Sequence, residues 1–418
     1  MKKRTDRKIA IAGSVAAAVV LPAVMVGLAQ AGVGVPGTGK PDAASNLAPL
    51  PTFGPAQQNA PVPATSPSGT PTIKPPAKPL TSNPFSTGPG RPSSDNPDLN
   101  THKRGKKAHL PAKEAELPTK FKKADDGAKI TALKKVSKNM FDVTIASPAL
   151  GASVQTRVLI PAGWKLDSSS AYPVVYAFHG GNNNYLSWTK DSNLLSVASG
   201  YNAMVVMPEG GWNGSYTNWW NDGRGGIPMW ETFHINEVIP LMERNFHAGP
   251  ARAAIGLSSG GQGAVTYAQR HPGLFKYVAS YSGALNITAP GMPSMLMQMN
   301  QKAGDDIWGD PARDRANWQA HDAAVMAAKL KGVGVYVSCG NGEVGPYDNP
   351  GMKPWDAGRF GEQLAHTMNV NFVEAARKAG VNVTANMYGA GTHKWAYWKR
   401  ELTASWPAIT GAIGAKKS

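Results

Sequence analysis

Short strand-like runs alternate along this chain with segments of helical spacing, and that alternation restricts the possible folds more than any other feature. Tyr172-Pro173-Val174-Val175-Tyr176-Ala177-Phe178 and Ala203-Met204-Val205-Val206-Met207-Pro208 are almost wholly apolar, as strands buried on both faces are. Ala253-Ala254-Ile255, Val278-Ala279-Ser280-Tyr281-Ser282 and Gly334-Val335-Tyr336-Val337-Ser338 read as further strands, and 381–388 as extended. Between them, 229–246 places Trp230, Phe233, Val238, Ile239 and Leu241 on one helical face, and 263–271 and 360–379 are also helical in pattern. Two earlier strands, 141–145 and 155–160, flank a Pro/Gly turn. Such an order implies an α/β fold with a doubly wound, mostly parallel sheet.

The fold is expected to occupy 124–418 of the 418 residues. Residues 33–118 hold 18 of the 34 prolines and few large apolar side chains. A segment of that composition cannot bury enough surface to offset its ordering entropy, so 32–123 reads as a disordered, Pro-rich basic linker. Residues 1–31 combine a basic start (Lys2, Lys3, Arg4, Arg7, Lys8), an apolar run from Ile9 to Leu28 and the small-x-small site Ala29-Gln30-Ala31. This is the pattern of a signal peptide, or of an N-terminal membrane anchor if it is retained. Either form puts the domain outside the cytoplasm, secreted or associated with the cell envelope. Half of the formal charge of +16 lies in residues 1–118 and is densest at His102-Lys103-Arg104-Gly105-Lys106-Lys107. That run is either a solvated stretch or a contact for anionic envelope polymer or lipid headgroups. The single cysteine, Cys339, excludes an internal disulfide and any cysteine-based metal site. No nucleic-acid motif and no H-E-x-x-H-type spacing is present, so neither nucleic acid nor metal nor another cofactor is expected.

One of the strands runs into Gly256-Leu257-Ser258-Ser259-Gly260. This fits G-x-S-x-G between a strand and a helix, the context of the nucleophile elbow of an α/β-hydrolase. The pattern puts the nucleophile at Ser258. Ser259 follows at the helix N-terminus, where its backbone N–H can help to hold an oxyanion. The second such donor is expected from the loop Phe178-His179-Gly180-Gly181-Asn182, at the N–H of Gly181. A serine needs a base, and the chain order of this fold is nucleophile, acid, histidine. His393, in the late loop Gly391-Thr392-His393-Lys394-Trp395, stands where that order requires it. Glu343, Asp348, Asp356, Glu362 and Glu374 are all candidates for the acid, and pattern alone does not choose among them.

From about Phe141 to Leu402 the chain resembles the antigen 85 mycolyltransferases, within the esterase D-like group of α/β-hydrolases. Val205-Val206-Met207-Pro208, Trp230-Glu231-Thr232-Phe233, Ala254-Ile255-Gly256-Leu257-Ser258, Tyr336-Val337-Ser338-Cys339-Gly340-Asn341-Gly342, Phe360-Gly361-Glu362 and Gly391-Thr392-His393-Lys394-Trp395-Ala396-Tyr397-Trp398 carry the resemblance in one order. It implies that Glu362 is the acid and that Ser258, Glu362 and His393 form a triad. It also implies that Met292, Met295, Met297 and Met299 lie on a helix beside an acyl channel, where flexible thioethers suit a lipid chain, or pack as a lid on the core. Cys339 matches a family cysteine near the site and reads as a buried thiol rather than a nucleophile. The acidic and basic residues with which the family contacts trehalose are matched by His179 and Asn182, and the serine after the family's histidine by Lys394. His179, Asn182 and Trp395 are therefore the expected substrate contacts, with trehalose itself in question.

These readings point to an exported serine acyltransferase. It would move an acyl group, of mycolyl or other long-chain type, from an ester donor through a Ser258 acyl-enzyme to a hydroxyl acceptor on a sugar, glycolipid or polymer. Water as acceptor would make the same machinery a secreted carboxylesterase. A third reading is a non-catalytic binding module on a stalk, with Trp212, Tyr216, Trp219 and Trp220 stacking on sugars.

Overall fold

The computed structural model describes residues 118–213, 215–299 and 307–417. The leader, most of the Pro-rich segment and its basic cluster lie outside the described residues. Packing against the main core begins at Phe121, and the Lys122 N–H donates to Asn245 Oδ1 at 2.7 Å. Among the described residues no helix is long and apolar enough to cross a membrane.

Nine strands form one sheet: β1 (Lys129–Ser137), β2 (Met140–Ser147), β3 (Ala152–Leu159), β4 (Tyr172–Phe178), β5 (Met204–Pro208), β6 (Ala248–Leu257), β7 (Tyr277–Tyr281), β8 (Gly334–Cys339) and β9 (Val383–Met387). Their order is β1-β2-β3-β5-β4-β6-β7-β8-β9. The pairings β1–β2, β2–β3 and β3–β5 are antiparallel. All the others are parallel. The period of two divides the central strands between two cores. Val174, Tyr176, Phe178, Met204 and Val206 face one, whereas Val175, Ala177, Val205, Met207, Ile255 and Leu257 face the other. This explains the unbroken apolar runs, because both faces are covered.

Two short helices, α1 (Ser187–Lys190) and α2 (Leu194–Ala198), precede β5. Helix α3 follows β5 as Trp230–Thr232, a π-helical Phe233–Val238 and Ile239–Phe246. Then come α4 (Ser259–Arg270), α5 (Met292–Met299), α6 (Arg315–Gln319), α7 (Ala357–Lys378) and α8 (Trp395–Ala412). Trp230, Phe233 and Leu241 of α3, Val265 and Tyr267 of α4 and Phe372 and Val373 of α7 cover the first face. Trp188 of α1, Leu194 of α2 and Trp398, Leu402, Trp406 and Ile409 of α8 cover the second. Truncating one such fully buried ring costs about 3–5 kcal/mol.

The chain leaves β4 to one side for β5 and returns to the other side for β6, so strand order reverses between β4 and β6. In an open α/β sheet, a crevice forms at that point beyond the carboxyl ends of the strands.

Glu231 pins α3 to α4. It accepts hydrogen bonds from Arg270 Nε (2.9 Å) and His271 Nε2 (2.8 Å). Burial pushes its carboxyl up, but His271 and Arg270 outweigh burial and hold it down to about 2. A folded-state value below the unfolded one stabilises at pH above the unfolded value, and the gain is lost as pH falls through the folded value. Urea midpoints measured between pH 5 and about 2 should therefore fall more steeply for the wild type than for Glu231→Gln.

Candidate active site

Strand β6 ends at Leu257 and α4 begins at Ser259, which leaves Ser258 alone in the turn. Its backbone stands at φ 52°, ψ −126°, a conformation that costs a residue with a side chain about 1–3 kcal/mol. Neighbours hold it there. The Ser258 N–H donates to the Tyr281 carbonyl (2.9 Å), and its own carbonyl accepts from the N–H groups of Gly261 (2.9 Å) and Gln262 (3.1 Å). Glycine is at ease in this region, so Ser258→Gly should raise stability by about 1–2 kcal/mol while removing the hydroxyl. Thermal melts of that variant beside Ser258→Ala, which keeps the strain, check this.

The glycines around the turn allow close approach. A Cβ on Gly260 would lie 2.4 Å from the carbonyl oxygens of Phe178 and His179. The start of α4 thus packs directly against the loop after β4, the loop that carries Gly181. Among the described residues, the N–H groups of Gly181 and Ser259 have no hydrogen-bond partner, and both residues line one cavity with Ser258 and His393. No hydrogen bond joins the Ser258 hydroxyl to the imidazole; such contacts are commonly long without substrate and tighten in the complex.

His393 stands in the loop between β9 and α8, its N–H donating to the Gly358 carbonyl (2.8 Å). Nδ1 lies 2.7 Å from Glu362 Oε2, on the second turn of α7. A carboxylate partner implies that Nδ1 carries the proton, which leaves Nε2 free as a base. Glu362 is fully buried, and its Oε1 accepts from Gly340 N–H (2.7 Å), Ser282 Oγ (2.8 Å), Tyr388 OH (3.2 Å) and Cys339 Sγ (3.3 Å). Burial raises its pKa, but the hydrogen bond and charge of His393, with Gly340 and Ser282, bring it below the ordinary carboxylate range. Trp398 Nε1 donates to Ser282 Oγ (3.0 Å), and the Trp398 ring meets the His393 ring edge-on at 5.0 Å. Burial and the neighbouring Glu362 push the Cys339 thiol well up, so it stays protonated.

Ser282 and Tyr388 have no signal of their own in the sequence, and Trp398 closes the last block of the resemblance without a role attached to it. Serine, tyrosine and tryptophan in strands and helices are common, and only the fold gathers these three around Glu362. None of the other acids meets the His393 ring. Glu343 and Glu374 are exposed, Asp356 accepts from the Lys353 N–H (2.8 Å), and Asp348 bonds to Thr392 and Tyr397.

The structure does not bring His179 to the cavity. Its ring is fully buried; Nδ1 donates to the Gly180 carbonyl (2.8 Å) and Nε2 accepts from the Gly210 N–H (2.8 Å), beside Glu209 Oε1 (3.3 Å). The Tyr216 hydroxyl donates to the His179 carbonyl (2.7 Å). Buried groups on two loops therefore capture this histidine, and it holds the Gly180–Gly181 turn instead of meeting substrate. Asn182 and Trp395 do line the cavity. Of the four aromatics expected near sugars, Trp212 lines it and Tyr216 is buried in the main core; Trp219, packed against the main core and the cluster around Trp308 and Trp318, and Trp220, whose backbone N–H donates to the Ile307 carbonyl (3.2 Å), do not line it.

The cavity holds about 460 Å³ and has two unlike walls. Met292, Met295, Leu296 and Met299 of α5 with Leu364 and Met368 of α7 make an apolar wall, while Asn182, Asn183, Asn213, Gln262 and Lys394 make a polar one. Met297 turns away to the cluster around Trp308 and Trp318. Among the described residues no group of three or more His, Cys, Asp or Glu could hold a metal ion.

A serine at a strained strand-to-helix turn, beside a carboxylate–histidine pair at the carboxyl end of such a sheet, defines an α/β-hydrolase. The chain belongs to the esterase family, whose model matches residues 147–409. It is 29% identical over 291 residues to "Diacylglycerol acyltransferase/mycolyltransferase Ag85A" of Mycobacterium tuberculosis, covering 65% of this chain and 80% of that protein. The crystal structure of Mycobacterium tuberculosis MPT51 is 26% identical, with a TM-score of 0.52 over 64% of this chain and 96% of that one. An S-formylglutathione hydrolase from Agrobacterium tumefaciens shares the fold, at 17% identity and a TM-score of 0.52 over 68% of this chain and 99% of that one. These relationships make the chain an enzyme of the acyltransferase/esterase kind.

Proposed function

We propose that this protein is an exported serine acyltransferase of the cell envelope, which passes a long-chain acyl group from an ester donor to a hydroxyl acceptor. The observation that carries the reading is the bonded Glu362–His393 pair beside Ser258, at the meeting of an apolar and a polar wall. Ser258 Oγ attacks the donor carbonyl while His393 Nε2 takes its proton. The N–H groups of Gly181 and Ser259 receive the oxyanion, where fixed donors lower the barrier most. Collapse of the tetrahedral adduct breaks the ester C–O bond, and His393 returns the proton to the leaving alcohol. The acyl-enzyme chain lies against Met292, Met295 and Met368. His393 then deprotonates the acceptor hydroxyl, which attacks the acyl-enzyme and regenerates Ser258.

The name of one relative, diacylglycerol acyltransferase/mycolyltransferase, agrees with a long acyl group as cargo and puts a lipid hydroxyl among the acceptors to be tried. Asn182, Asn183 and Asn213 offer neutral donors and acceptors suited to a polyol. With His179 sealed behind the loop, the acceptor contacts differ from those the resemblance implies, and trehalose is not singled out. Export rests on the basic and apolar start of the chain and Ala29-Gln30-Ala31, and envelope contact on the basic run 102–107.

The test pairs fluorophosphonate labelling with a partition assay on p-nitrophenyl esters from butyrate to palmitate. The label is expected on Ser258, and nitrophenol release is expected to exceed free acid once a hydroxyl acceptor is added. Free acid equal to nitrophenol for every acceptor would make the protein a carboxylesterase. Folded protein that takes no label would make it a binding module.

A further inference from the structure

One carboxylate orients the His393 ring, but a second lies close by with more ties to the histidine segment. The Asp348 side chain has no exposed surface. Its Oδ1 accepts from Thr392 Oγ1 (2.6 Å) and Lys394 Nζ (3.0 Å), and its Oδ2 from Tyr397 OH (2.6 Å) and Gly345 N–H (2.9 Å). Thr392 and Lys394 are the residues on either side of His393. Lys394 Nζ also donates to the Tyr347 carbonyl, on the same loop as Asp348. Burial raises the Asp348 pKa, but Thr392, Tyr397, Gly345 and Lys394 outweigh it, and the group remains an anion.

The segment needs such ties. Tyr388-Gly389-Ala390-Gly391-Thr392-His393 has no regular structure after β9, and Gly389 stands at φ 77°. Glu362 holds one ring nitrogen, and backbone bonds with Asn341, Gly342 and Gly358 hold the segment at Gly389, Gly391 and His393. Asp348 adds side-chain ties to the residues on both sides of the ring. The two carboxylates are also linked. The Tyr397 ring stacks on Tyr388 at 5.5 Å and 7°, and Tyr388 OH donates to Glu362 Oε1 (3.2 Å). The Arg400 guanidinium lies 4.2 Å from the centre of the Tyr388 ring and 5.7 Å from that of Tyr397. One stacked pair therefore sets the distance between the carboxylate that holds the ring and the carboxylate that holds its loop.

We propose that Asp348 is a positioning residue for acyl transfer: by clamping Thr392 and Lys394 it keeps His393 Nε2 within reach of the Ser258 hydroxyl. The inference rests on the proposed function. A misplacement of about 1 Å between reacting groups costs about 100-fold in rate, which sets the scale of the expected effect.

The experiment uses the whole chain carrying Asp348→Asn, Thr392→Val or Tyr397→Phe, the last two each removing one hydroxyl tie. The rate of fluorophosphonate labelling at Ser258 is read with kcat and KM on p-nitrophenyl butyrate. Asp348→Asn is expected to lower labelling and kcat about 10- to 100-fold with KM nearly unchanged, and the single-tie variants by smaller factors in the same sense. Added to His393→Ala, Asp348→Asn should lower the residual rate no further, because it acts through the imidazole. Labelled wild type with Asp348→Asn equally fast overturns this inference alone. So does a loss that multiplies with that of His393→Ala, which would make Asp348 a structural ion pair. Wild type that takes no label overturns the acyl-transfer reading and this inference with it.

Discussion

Ser258→Ala is expected to lower kcat/KM on an activated ester by about 10⁵- to 10⁶-fold, leaving only what the oxyanion donors and binding supply. The hydroxyl is the only group lost, and alanine keeps the strained backbone, so the far-UV spectrum and urea midpoint should hardly change. The companion variant Glu362→Gln should lose about 10³- to 10⁴-fold, by a different route. Glu362 Oε1 accepts from Gly340, Ser282 and Tyr388, and a glutamine carbonyl can serve there. Its amide NH₂ would then occupy the Oε2 position, 2.7 Å from His393 Nδ1. Two N–H groups cannot face each other, so the imidazole must move its proton to Nε2. In that tautomer it cannot accept the proton of Ser258. Steady-state kinetics of the two variants, with the double variant losing little more than Ser258→Ala, checks that the residues act as one unit. Independent losses that multiply would refute the triad.

Much of this site was legible because its parts are local. Ser258 sits in a five-residue pattern between a strand and a helix, and His393 in a late loop where chain order wants a base. Glu362 was not local. Five acids lay between Cys339 and His393; the local pattern did not choose among them, the resemblance pointed to Glu362, and the packing of α7 beside β8 buries that one where it accepts from Gly340. His179 shows the opposite failure. The resemblance matched it to a sugar contact, but the orientation of a ring depends on Glu209 and Gly210, which are distant in sequence. The central strands were clear because burial on both faces leaves no polar positions. Strand β1 was missed because, as an edge strand, it buries Ile130 and exposes most of the rest, including Lys129, Lys134 and Lys135. Helix α4 begins at Ser259, several residues before its pattern suggested. Glycines read as breakers in a sequence, and here they serve close packing.

That last point carries a strong prediction. Gly256→Ala should destabilise the domain by more than about 4 kcal/mol, or prevent folding. A Cβ built on Gly256 would fall 2.0 Å from the Gly260 carbonyl oxygen, 2.2 Å from its carbon and 2.7 Å from the Gly261 nitrogen. All three atoms are backbone in the first turn of α4, so no side chain can rotate away. Relief requires the helix to lift from the strand, and Gly260 is itself wedged against the carbonyls of Phe178 and His179. The displacement would therefore reach the N–H groups of Gly181 and Ser259, the proposed oxyanion donors, at once. Gly181→Ala is the contrast, since the nearest atom to its added Cβ is the Asn213 carbonyl oxygen at 3.6 Å, an ordinary contact. It should cost less than about 1 kcal/mol in stability, so any loss of activity it causes reports on the oxyanion loop alone. Urea denaturation of the two variants separates the cases. Near-wild-type stability in Gly256→Ala would mean that β6 and α4 approach less closely than described, and that the serine turn tolerates slack that its backbone strain argues against.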